Sequence, residues 1–137
     1  MAILTALHRA IQEGITAGLP GVFVLPPYPD LQRALTRLPA IDTQLTDLEP
    51  GDDPGSGEAP LIGRFTARVI VDPNLADAGL SAREMAARLA ALLYRQTWGM
   101  TEIGYAHFVQ AGEDALSPDL DGYLVWMVEW THAFYAV

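Results

Sequence analysis

Two amino acids are missing from this 137-residue chain, and each absence bears on function. Without cysteine the chain forms no disulfide, carries no thiol nucleophile and lacks the best zinc ligand. Without lysine its eight basic side chains are all arginines, against 17 acidic residues and a net charge of −9. A domain of this charge repels phosphate backbones, which argues against nucleic-acid binding as its primary activity.

Common catalytic and nucleotide-binding motifs are also missing. The chain has no Gly-x-Gly-x-x-Gly, no phosphate-binding Gly-x-x-x-x-Gly-Lys and no Gly-x-Ser-x-Gly. His8, His107 and His132 each stand on a predicted regular element without a second histidine at helical spacing, which favours structural roles over metal binding. The number of acidic residues does not exclude a catalytic carboxylate pair, but most of them fall in predicted loops. The sequence therefore favours an assembly subunit over an enzyme, with no cofactor and no metal.

No apolar run is long enough to cross a bilayer, since the longest, near the C-terminus, is interrupted by Glu129 and His132. The N-terminus has the pattern of an amphipathic helix rather than of a secretory signal, so we expect cytoplasmic production. Half of the residues are apolar, enough for the core of one domain spanning residues 1–137.

Apolar periodicity predicts two helices. Leu4, Leu7, Ile11 and Ile15 form one stripe over residues 3–17. A second helix, over residues 81–98, opens with a capping box at Ser81 and Glu84. Its stripe contains Met85, Leu89 and Leu92, with Ala82 and Ala86 permitting close approach.

Alternation of apolar and polar residues predicts the strands, at residues 22–25, 39–48, 61–72, 103–110 and 123–137. Residues 31–38 are either one or two helical turns or a loop. Two acidic loops are predicted, a Gly- and Pro-rich one at 49–60 and another at 112–122. The fold class is α+β, a mostly antiparallel sheet with two helices packed on one face.

Arginine and tryptophan pairs are the candidate interface residues. Arg64 and Arg68 project from one face of a strand, where they either pair with acids on a neighbouring strand or meet another subunit. Trp126 and Trp130 share a face of the last strand, either as core residues under the helices or as interface contacts. The last strand is apolar on both faces, so its second face needs cover, which another subunit could supply.

The order of these segments resembles the tail terminator, or tail completion, proteins of tailed bacteriophages, especially the small Mu-like tail proteins of contractile tails. The resemblance spans nearly the whole chain as a pattern, without a diagnostic motif. It rests on the opening helix running into residues 19–22 (Leu-Pro-Gly-Val), on residues 38–41 (Leu-Pro-Ala-Ile) before a strand, and on the acidic hairpin before residues 63–69 (Gly-Arg-Phe-Thr-Ala-Arg-Val). The helix at 81–98 and the final strand complete the pattern.

The resemblance implies a homo-hexameric ring on the head-proximal end of the tail tube. Such rings stop tube polymerisation, offer a docking surface to the head-side connector, and in contractile tails also touch the sheath protein. It implies a virion protein, assembled in the host cytoplasm, without enzymatic activity, cofactor or membrane contact. DNA would pass through the ring without specific binding.

An acidic surface on the lumen would repel DNA phosphates, so we hypothesise that one of the two acidic loops faces the channel or a partner. The acidic candidates are Asp47, Glu49, Asp52, Asp53, Glu58, Glu113, Asp114, Asp119 and Asp121. Two alternatives stay open: a small-molecule-binding or regulatory α+β domain with a Trp-lined sheet, and an adaptor that binds a protein through its sheet edge.

Overall fold

A computed structural model describes residues 3–26, 35–52, 55, 59–114, 120 and 122–136. Its elements follow one another as α1 (Ile3–Gly18), β1 (Phe23–Val24), β2 (Ala40–Pro50), β3 (Ala59–Val71), α2 (Ala78–Leu92), β4 (His107–Glu113) and β5 (Leu124–Ala136). The strands form one sheet in the order β1-β2-β3-β5-β4. The pair β1–β2 is parallel and every other pair is antiparallel.

Both helices cover the same face of this sheet. In α1 the predicted stripe is buried, with Leu7, Ile11 and Ile15 fully inaccessible. Ala82, Ala86 and Leu89 of α2 enter the same core as the sheet residues Phe65, Val69, Val128, Trp130 and Phe134. A side chain on Gly18 of α1 would collide with Leu92 of α2, and one on Gly14 would collide with the Trp98 ring, so these two glycines allow α1 to approach this part of the chain closely. The predicted α+β class, with two helices on one face, is confirmed.

The predicted start and end of α2 are wrong. The helix begins at Ala78 rather than Ser81, because the turn after Asp72 runs directly into it and the Leu75 carbonyl accepts a hydrogen bond from Ala78 N–H. Asp77, in the left-handed conformation, occupies the N-cap position and makes no side-chain cap, so Ser81 does not cap the helix. The helix ends at Leu92, and Arg95 at φ 54° turns the chain well before Trp98.

The predicted acidic loops are shorter than expected. Strand β2 continues to Pro50 and pairs with Leu61 of β3, so the first loop is the tip of a hairpin and Glu49 lies in a strand. Strand β4 lies at His107–Glu113 rather than 103–110, which places Gly112 and Glu113 in a strand as well. Ile103 forms only an isolated bridge to Phe134. Of the segment 31–38, residues 31–34 lie outside the described part of the chain, and residues 35–38 are not helical.

The sheet has an inner face under the helices and an outer face against which none of the described helices packs. On β5 the inner face carries Trp126, Val128, Trp130, His132 and Phe134, as the alternation predicts. At one end of the outer face a small second core covers the apolar residues, with Leu25, Ile70, Leu120 and Val125 buried together. The outer side of β5 is therefore covered in part by the chain itself.

Candidate interaction surfaces

Arg64 and Arg68 lie on the outer face, as predicted, and both form ion pairs within the chain. Arg64 Nη1 donates to Glu129 Oε2 at 2.7 Å and its Nη2 to Glu49 Oε1 at 3.4 Å. These hydrogen bonds, first the one to Glu129, raise the pKa of Arg64 above its ordinary value. Because its side chain stays partly exposed, Arg64 remains available to a partner.

Arg68 is different because its ion pair is buried. Its Nε donates to Asp42 Oδ1 at 3.0 Å and Oδ2 at 3.2 Å, and Nη2 donates to Oδ2 as well. Asp42 is fully inaccessible and Arg68 is 7% exposed. Of the two alternatives for this arginine, the structure has the ion pair with a neighbouring strand, and Arg68 offers almost no surface to another subunit.

Trp126 and Trp130 belong to the inner face. Trp130 is fully buried and stacks on Phe65, with ring centroids 6.0 Å apart and an interplanar angle of 20°. Trp126 is half-buried against the same core. An interface contact through Trp130 therefore finds no exposed surface in the single chain, because the helices cover this side of the sheet.

The acidic candidates fall into two groups at opposite ends of the sheet. Asp47, Glu49 and Asp52 lie at the hairpin end of β2, whereas Glu113 and Asp114 lie at the other end, where β4 finishes. Asp47 and His107 lie in one row across the sheet, linked through the paired residues of β3 and β5. Because β4 begins at His107, Glu113 lies six residues further along β4, away from Asp47. Asp53, Glu58, Asp119 and Asp121 lie outside the described residues.

Two histidines are buried and hydrogen-bonded within the chain. Trp98 Nε1–H donates to His132 Nε2 at 2.9 Å, and Nδ1 of the same ring lies 2.9 Å from the Gly104 carbonyl, to which it donates. This arrangement requires a neutral ring with the proton on Nδ1. His8 Nε2 lies 2.8 Å from Thr43 Oγ1 and 3.2 Å from the Thr43 carbonyl oxygen. Within the described ranges no group of three metal-binding side chains occurs.

Acidification should destabilise the fold through these two histidines. Burial lowers the pKa of both His8 and His132 below the ordinary value of 6.5. The unfolded chain then binds more protons than the folded chain, so this contribution is fully present above about pH 6.5 and is lost as the pH falls through the lowered values. We expect the urea midpoint to fall between about pH 7 and pH 5.5, a window above most carboxyl titration. In the variant His132→Asn the urea midpoint should fall less over this pH window. A fall equal to that of the wild type would contradict the contribution assigned to His132.

The clearest unassigned surface is the edge of the sheet at β4, whose outer side has no strand partner among the residues that the structure describes. All of its residues except Gly112 are exposed, and Phe108 (52%) and Val109 (43%) present apolar side chains to solvent. Tyr94, Tyr105 and Phe108 line one shallow pocket there, with Arg95 stacked over the Tyr105 ring at 5.3 Å. We call Tyr94, Tyr105, Phe108 and Val109 the edge patch. The alternation pattern did not reveal this patch. The adjacent apolar residues Phe108 and Val109 were the available signal, because neighbouring strand residues point to opposite faces and only one face of this sheet is covered by helices.

A second free edge lies on the opposite side of the sheet. β1 pairs with β2 only at Ala40 and Ile41, and Leu25 N–H bonds to the Ile41 carbonyl. His8 then covers the Thr43 carbonyl, the last one occupied on that side. Beyond it, residues 44–50 have no strand partner on this side within the described part of the chain. A groove of about 450 Å³ adjoins this stretch, and its lining residues are Leu4, Thr5, His8, Arg9, Gln12, Leu45 and Phe65.

Comparison with known proteins finds similarity at the level of structure. No protein-family model and no curated protein matches the sequence. Among solved structures, the chain is similar to one from the "Virion of native gene transfer agent (GTA) particle", with 14% sequence identity and a TM-score of 0.49. The similarity covers 98% of this chain and 94% of that one. At this identity and TM-score it assigns neither a function nor site residues. No described helix is both long and apolar enough to cross a bilayer.

Proposed function

We propose that this chain is a structural subunit of a bacteriophage tail, and more narrowly a tail terminator that forms a ring at the head-proximal end of the tail tube. The observation that carries the proposal is the pair of unlike free edges in one sheet. Among the described residues no strand pairs with the outer side of β4 or with residues 44–50 of β2 on the side away from β3. A contact between two different edges of identical subunits is heterologous, and such contacts form rings when the rotation closes.

The position of the proposed ring, at the end of the tail tube, is inferred from the resemblance to tail terminators. The order of a helix, an acidic hairpin, a second helix and a long closing strand is the pattern on which that resemblance rests. The proposed ring has six subunits, stops polymerisation of the tube and of any sheath, and offers its free face to the head-side connector. It works by shape and contact alone, without catalysis or a cofactor.

The acids fit a ring through which DNA passes. If the strands run along the ring axis, Asp47, Glu49 and Asp52 lie at one mouth of the channel, and Glu113 and Asp114 lie at the other. Carboxylates at both mouths repel DNA phosphates and keep the passage smooth. An electron cryomicroscopy structure of the ring that places both groups on its outside would contradict this part of the proposal.

Electron microscopy of tail tubes tests the proposed function. Purified tubes that lack a terminator, incubated with this protein, should acquire a ring-shaped cap at one end and should stop elongating when tube protein is added. Mature tails, whose tube ends are already occupied, are the control and should gain no cap. Tubes that stay bare and elongate at the rate seen without the protein would overturn the proposal.

The groove beside His8 favours one second candidate, binding of a small molecule. It is concave and of suitable volume, with apolar walls from Leu4, Leu45 and Phe65 and polar groups from His8 and Gln12. A bound ligand would raise the melting temperature, because it stabilises the fold by an amount that grows with the logarithm of its concentration over its Kd. A screen of small acids, nucleotides and lipids by thermal shift tests this candidate, and a ring that forms without any ligand would count against it.

A further inference from the structure

We propose that neighbouring copies of this chain join by pairing residues 107–110 of β4 in one copy with residues 44–47 of β2 in the next, and that Phe108 inserts into the groove beside His8. This inference names the contact that closes the proposed ring and therefore rests on the proposed function. It commits to a second copy of the chain as the occupant of the groove. The two edges supply the argument, because their strands run in opposite directions and their side-chain rows coincide.

The two free edges match in direction. At equal height along the sheet, residues 107–110 of β4 face residues 44–47 of β2, the part that neither β1 nor His8 covers. Successive antiparallel pairings from β2 through β3 and β5 make β4 antiparallel to β2. A copy rotated about an axis along the strands therefore presents its β2 antiparallel to β4, so the ladder of backbone hydrogen bonds continues from copy to copy.

The side-chain rows of the sheet point to the register. Leu45, Phe65, Trp130 and Phe108 occupy one inner-face row across the four strands, each directly opposite the next. Continuing that row places Phe108 beside Leu45 of the next copy, at the wall of the groove that Leu45 shares with Phe65 and Leu4. Phe108, half-exposed in the single chain, would then be buried in an apolar site.

The exposure of β4 is itself an argument for a partner. Natural proteins protect free sheet edges with lysines, prolines or covering loops, because an open edge recruits other strands. β4 carries no proline, and its one irregularity is a shift in register at Val109. Phe108 and Val109 instead make this edge apolar, which is typical of a strand that is covered in an assembly.

Disulfide trapping tests the contact, since the chain has no cysteine of its own. Gln44 and Gln110 share an outer-face row, so the double variant Gln44→Cys/Gln110→Cys should cross-link copies into a ladder on a non-reducing gel. Within one chain two strands separate these positions, roughly 14 Å from three strand spacings, too far for a disulfide. Asp47→Cys/His107→Cys probes the next row on the other side of Phe108. Each single cysteine variant is a control and should give at most a dimer.

The mass of Phe108→Asp gives a second readout that separates the two proposals. We expect Phe108→Asp to remain a monomer under conditions where the wild type forms a ring, while Leu75→Asp, at an exposed residue before α2, should assemble like the wild type. A ring that forms without cross-links, or that survives Phe108→Asp, would overturn this contact and leave the terminator proposal standing. A wild type that forms no ring, alone or with tail tubes, would overturn both.

Discussion

Asp42→Ala should lower the free energy of unfolding by about 3–5 kcal/mol, because it removes the carboxylate that neutralises a buried guanidinium. Asp42 is fully inaccessible, and Arg68 reaches it through Nε and Nη2 from the adjacent strand. Truncating one member of a buried pair leaves a charge in a medium that solvates it poorly. Urea denaturation followed by circular dichroism measures the loss directly.

Two control variants identify burial as the cause. Arg64→Ala, which removes the other arginine on this face of β3 and leaves a partly exposed ion pair broken, should change the stability far less than Asp42→Ala. The double variant Asp42→Leu/Arg68→Met should recover most of the loss, since an apolar pair of similar volume replaces both charges. A loss below about 1 kcal/mol for Asp42→Ala would mean that water reaches this ion pair.

Trp130→Ala should cost about 3–5 kcal/mol, as expected for removal of a large buried aromatic side chain. Trp130 is fully inaccessible and stacks on Phe65 beneath the helices. Trp130→Phe should cost much less, because the ring contact is kept and the indole N–H has no hydrogen-bond partner among the described residues. Thermal and urea denaturation of the isolated chain provide the measurement.

The same experiment decides between the two roles considered for Trp130. A tryptophan that served only as an interface contact would leave the stability of the isolated chain nearly unchanged on truncation. Tyr94→Ala is the matched control, because Tyr94 is 81% exposed and its loss should change stability by less than about 0.5 kcal/mol. Equal effects of Trp130→Ala and Tyr94→Ala would contradict the core assignment.

The parts of the fold that depend on local periodicity were predictable from the sequence. The stripe of Leu7, Ile11 and Ile15 determines which side of α1 is buried, and alternation along β3 and β5 determines the two faces of the sheet. These patterns are visible because each element buries one side only. The hairpin between β2 and β3 was predictable in kind, but its strands extend further, since cross-strand pairing holds Pro50 and Ala59 in the ladder.

Features that depend on contacts between distant segments were not predictable. The capping box at Ser81 is a valid local pattern, yet the turn after Asp72 starts the helix three residues earlier. The partner of Arg68 is 26 residues away, and the pattern gave no means to choose Asp42 among 17 acids. Strand order was likewise hidden, and only that order makes β4 a free edge and places Phe108 in the row of Leu45.

The most direct test of the account is the mass of the protein in solution, measured by light scattering behind a sizing column, with and without purified tail tubes. The account predicts a species about six times the 14.8 kDa of the chain, either free or bound at tube ends, and its loss in Phe108→Asp. A chain that stays at 14.8 kDa alone and does not bind tubes would contradict the proposal that it is a ring-forming tail protein.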